Sequence, residues 1–115
     1  MAEFNPNSSR ISEEARDVWM KADVSDDLAI IPGCGPASIK RLNESGVWTT
    51  WQLFAVFLAL KGSRVGSVEL CQRFFLKISE DFGVRPQECH SIVDAVASKL
   101  NITFPGLYRP DLWDT

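Results

Sequence analysis

A chain of 115 residues, 45% hydrophobic and 23% charged, has material for one globular core. Its formal net charge of −3 gives no overall pull toward nucleic acid or membrane, so any such binding must come from a local patch. Three cysteines without paired spacing (Cys34, Cys71, Cys89) argue against a disulfide framework or zinc site, and no apolar run is long enough for a signal peptide or membrane span. They fit reduced, buried thiols of the nucleus or cytosol.

Residues 1–11 are mostly polar and read as a disordered leader. Ser12 is placed to cap a helix with Glu13 and Glu14 in its first turn, where the dipole favours acids, and with Ala15, Val18 and Trp19 as its apolar face. Ser25-Asp26-Asp27 opens a second short helix carrying Leu28 and Ile31. Ile31-Pro32-Gly33-Cys34-Gly35-Pro36 follows. Glycines on either side of one small residue allow a tight turn and leave the main chain open to close approach. Pro36 suits the first position of a helix, which runs to about Glu44 and ends at Gly46. The free amides of that start, including those of Ala37 and Ser38, form an anion site, with Lys40 and Arg41 one turn on. Residues 26–46 therefore read as a helix-hairpin-helix aimed at a phosphate, or as a plain hairpin between two core helices. Cys34 serves as a small hydrophobic plug in it.

Thr49-Thr50-Trp51-Gln52 has capping-box spacing. The helix it opens is apolar on every side through Leu60, so it needs cover on every side. A second copy of the chain, meeting Trp51, Phe54, Phe57 and Leu58, is one solution, and a central place in the core is the other. Beyond a flexible break at residues 62–66, Ser67 caps a helix with the stripe Leu70, Cys71, Phe74, Phe75, Ile78 and Phe82, ended by Gly83. A last helix begins near Pro86, packs Cys89, Ile92, Val93, Val96 and Leu100, and stops at Asn101. Residues 102–115 form a tail with large apolar groups, either strapped to the body or serving as a docking peptide. Strand patterns are absent, so the fold class is all-α, with residues 12–101 as the helical domain.

Convergent titratable groups are missing. His90, the single histidine, sits among polar neighbours and reads as solvated, and Cys89 beside it lies on another helical face, which leaves no shared metal. Asp26-Asp27 reads as helix-start acid. The expectation is a binding module without catalytic residues, cofactor or small-molecule substrate.

The order of elements from 12 to 100 resembles the barrier-to-autointegration factor family. The resemblance is carried by Arg16-Asp17-Val18, by Ile31-Pro32-Gly33-Cys34-Gly35 with Ile39-Lys40-Arg41-Leu42, and by Phe82-Gly83. Its best piece is Gln52-Leu53 with Val56-Phe57-Leu58-Ala59-Leu60-Lys61, similar to that family's "QFLVLK" helix. The resemblance implies a compact five-helix bundle of the SAM-like type containing a helix-hairpin-helix. It also implies a nuclear homodimer that bridges double-stranded DNA without base reading, and a dimer groove for LEM-domain proteins of the inner nuclear membrane. Gly33, Cys34, Gly35, Ala37 and Ser38 would then approach DNA at the hairpin, with Lys40, Arg41 and Arg85 as phosphate partners. The chain departs from the family at Glu13-Glu14, where a basic residue is usual, at Glu88 near the last helix start, in an insertion at residues 63–66, and in its tail. A dimeric adaptor without DNA affinity, and an accessory helix-hairpin-helix module of a larger assembly, are the competing expectations.

Overall fold

The computed structural model describes residues 3–113. Among them lie five α-helices and no β-strand: α1 (Glu13–Lys21), α2 (Pro36–Glu44), α3 (Thr50–Ala59), α4 (Ser67–Leu76) and α5 (Pro86–Thr103). α4 continues through a π-helical turn at Lys77–Asp81. The all-α, five-helix expectation holds.

The local signals behave as their chemistry dictates. Ser12 accepts the Ala15 N–H at 3.1 Å and caps α1. At α3 the capping box is complete: Thr49 Oγ1 accepts the Gln52 N–H at 3.1 Å, and Gln52 Oε1 accepts the N–H groups of Thr49 (3.1 Å) and Trp48 (2.7 Å). Gly46 and Gly83, at φ +89° and +76°, follow α2 and the π-helical turn in the left-handed region where a Cβ is costly.

The central helix is α5, not α3. Every residue from 91 to 98 is buried, and α1, α3 and α4 pack around it. Ala95 and Ala97 let neighbours come close, and the polar residues on that stretch are satisfied. Ser91 Oγ accepts the Arg10 N–H at 2.9 Å, and Ser98 Oγ accepts Arg16 Nη1–H at 3.1 Å. α3 buries Leu53, Phe54 and Phe57 on one face, with the Phe57 ring edge-on to Phe74 at 5.0 Å. Its other face reaches solvent. α1 is also turned from its expected orientation. Trp19 is buried with its indole N–H donating to Ala95 O at 2.9 Å, and Arg16 reaches Asp94, so Val18 is left 69% exposed. The pair of polar bonds available to Arg16 and Trp19 outweighs one valine.

The leader expected over residues 1–11 is ordered over its described part, residues 3–11; residues 1 and 2 lie outside the described residues. Phe4 is buried against Phe75 and edge-on to Trp113, with ring centroids 6.3 and 5.4 Å away, and its N–H donates to Gln72 Oε1 at 2.7 Å. One buried aromatic anchors an otherwise polar segment. His90 is correspondingly half-buried, with its ring 4.7 Å from that of Phe75 and Nδ1 accepting the Asn5 N–H at 3.2 Å. A doubly protonated imidazole cannot accept that bond. Desolvation, which penalises the charged imidazolium, holds His90 below its usual 6.5. The unfolded chain therefore binds the proton first, and stability present above about pH 6.5 is lost as pH falls through the lower folded value. Urea midpoints at about pH 7.5 and 5.5 should differ in that direction, and less so in His90→Gln. An unchanged difference in the variant would assign the loss to other groups.

Two further expectations change. The second short helix is a single 3-10 turn, Leu28–Ile30, capped by Asp27, so the 26–46 segment has an α-helix on one side of its loop only. Ser67 does not cap α4; Gly66 holds that place, and Ser67 Oγ accepts the Arg109 N–H at 2.8 Å. That bond belongs to a tail strapped to the body. Tyr108 is buried with its hydroxyl donating to Asp94 at 2.9 Å, and Asn101 Oδ1 accepts the N–H groups of Gly106 and Tyr108 at 3.0 Å each. α5 itself runs two residues past Asn101.

Candidate nucleic-acid interface

The residues expected at a phosphate divide between two hollows that share Glu88. In one, Ala37, Ser38, Lys40 and Arg41 of α2 meet Gly83, Val84, Arg85 and Glu88 around a cleft of about 220 Å³. Three cations from two elements thus converge over the first turn of α2. The N–H groups of Ala37 and Ser38 precede the first i→i−4 bond of that helix, from Ile39 N–H to Gly35 O at 3.0 Å. The same cleft holds one carboxylate. Ser38 is buried and donates its hydroxyl to Glu88 Oε2 at 2.6 Å, which brings a resident anion to the positive end of the helix. Arg41 is exposed and pairs with Glu44 at 3.5 Å, a contact that a phosphate can displace cheaply.

Gly33, Cys34 and Gly35 line a neighbouring and larger trough. The close approach anticipated at Gly33 is made by the chain's own α5. With φ +87°, a Cβ there would stand 2.5 Å from the Cβ of Ser91, so the loop is seated on its own helix. Gly35 has ordinary φ of −87° and open space around it. Cys34 is buried, and its thiol is pushed up to about 12 by burial first and then by the carboxylates of Glu88 and Asp27. Burial likewise pushes Cys71 and Cys89 up to about 12, which fits inert core thiols.

Of the four residues expected between two copies, Phe54 and Phe57 belong to the subunit's own core. Trp51 and Leu58 stay 53% and 36% exposed, and Trp51 Nε1–H donates to Asp26 at 2.9 Å. With Ile102 and Phe104 from the end of α5 and the residue after it, they surround a hollow of about 550 Å³. Ile102 and Phe104 fall where the helical period fades, and only their size and apolarity among polar neighbours marked them.

Compared with known proteins, the chain matches no family model, no curated protein and no solved structure. No helix among the described residues is long and apolar enough to cross a membrane, and no group of three or more potential metal ligands occurs among them.

Proposed function

We propose that the chain binds the phosphate backbone of double-stranded DNA without reading bases, at the cleft between the starts of α2 and α5, and that a homodimer formed at the α3–α5 hollow bridges two duplexes. The observation that carries this reading is the arrival of Arg85 beside Lys40 and Arg41 over the first turn of α2. Cations and unpaired helix-start amides on one small surface suit a phosphate. The resemblance to the barrier-to-autointegration factor family supports the same partner, with a nuclear location. The hairpin glycines are left out of this reading, because they line the neighbouring trough rather than the cleft.

Fluorescence anisotropy with a short random-sequence duplex tests it. Binding should fall steeply between about 50 and 200 mM salt, and the double variant Lys40→Glu/Arg41→Glu should flatten the salt slope by about 2 and lose about tenfold or more in affinity. Glu88→Gln should act the other way, raising affinity about two- to fivefold, because a charge at the helix start is removed. Unchanged binding in the double variant would remove the site. Light scattering should give a dimer that Trp51→Ala/Leu58→Ala converts to monomer.

Glu88 also favours a second reading. A carboxylate already seated at the anion position fits a dimeric adaptor for nuclear proteins of the LEM-domain kind, with little DNA affinity. Retention of such a partner, with no duplex binding at low salt even in Glu88→Gln, would decide for it.

A further inference from the structure

A hollow of about 960 Å³ lies between α1 and the 28–35 segment. Its floor is apolar, with Val18 exposed beside Ile30 and Pro32. Every charged residue that lines it is acidic: Glu14 from α1, Asp23 from the loop after it, and Glu88 from α5. Neither Glu14 nor Asp23 forms an ion pair among the described residues, whose ion pairs lie elsewhere. α1 with its following loop, and α5, thus bring carboxylates to one apolar trough whose lining holds no cation, while Lys99 Nζ stands behind it on the Trp19 and Ala22 carbonyls.

We propose that this trough is a docking site for a basic amphipathic segment of a partner protein, with aliphatic side chains on the Val18–Ile30–Pro32 floor and Lys or Arg against Glu14, Asp23 and Glu88. Charge complementarity selects that occupant. An uncharged apolar segment would strip water from the rim carboxylates and return nothing, and an acidic peptide or a nucleic acid is repelled by them. The exposed valine supplies the apolar contact that a polycation alone would not use. Docking here does not rest on DNA binding, since the cations of the cleft do not line this trough, although Glu88 lines both.

The test uses the full chain and a synthetic helical peptide of leucine and lysine, patterned so that leucines form one stripe. Controls are the same composition scrambled to abolish the stripe, and a leucine–glutamate counterpart. The striped lysine peptide should bind with an affinity that falls as salt rises, and its amide shifts should cluster at residues 14–23 and 29–35. Glu14→Lys/Asp23→Lys and, separately, Val18→Asn should each weaken it by about tenfold. Both variants change exposed side chains, and circular dichroism checks that they fold. Absence of binding, equal binding of the scrambled peptide, full affinity in both variants, or shifts confined to other surfaces would each overturn the proposal.

Discussion

Asp94→Ala should lower the free energy of unfolding by about 2–4 kcal/mol, read as a shift of the urea midpoint at unchanged slope. Asp94 is buried on α5 and gathers three elements: Arg16 of α1 through an ion pair, the Tyr108 hydroxyl of the tail at 2.9 Å, and Ser98 one turn on at 3.4 Å. Alanine leaves a guanidinium and a phenol facing a void. A wholly buried pair broken this way costs about 3–5 kcal/mol, and the lower figure here follows from Arg16, whose side chain stays 38% exposed and can recover water. Burial pushes the Tyr108 phenol above its ordinary value and the Asp94 carboxylate adds to the shift, which favours the protonated, donating form. Tyr108→Phe removes one hydrogen bond and should cost about 1 kcal/mol, with the tail then cut more readily by protease. If Asp94→Ala stays within about 0.5 kcal/mol of the parent, Arg16 and Tyr108 are satisfied by water and the network is not what joins α1 and the tail to α5.

Gly33→Ala should cost about 2–4 kcal/mol, while Gly35→Ala, two residues on, should stay within about 0.5 kcal/mol. The contrast isolates the cause. Gly33 combines a left-handed φ of +87° with a Cβ position 2.5 Å from the Ser91 side-chain carbon on a helix that cannot recede. Gly35 has a φ open to any residue and nothing near. Equal costs at the two positions would mean that the loop is looser than its seat on α5 requires.

Much of the fold was legible from short-range chemistry. The Ser12 cap, the Thr49–Gln52 box, the glycine stops at 46 and 83 and the stripe of α4 each depend on residues a few positions apart. What escaped depends on partners far along the chain. α5 carries Ser91, Asp94 and Ser98 through the middle of the core, and their polarity concealed its burial because Arg10, Arg16 and Tyr108, which satisfy them, lie up to 82 residues away. Val18 was expected on the buried face of α1, and only Asp94 and Ser98, far along the chain, explain why Arg16 takes part of that place. Phe4 looked like one apolar residue in a polar leader, and only the Phe75 and Trp113 rings explain its place. At the candidate site, Lys40 and Arg41 were readable as neighbours. The convergence of Glu14, Asp23 and Glu88 was not, since no spacing rule links three separate elements.

Glu88 forms part of the wall of both the cationic cleft and the acidic trough. A single carboxylate with a surface on each side makes the two hollows thermodynamically communicating vessels. A positive group settling against it from one side cancels field that a phosphate meets on the other, and by reciprocity the phosphate's arrival is felt equally in return. If both proposed ligands bind, uptake in one hollow would shift the affinity of the other without a helix having to move.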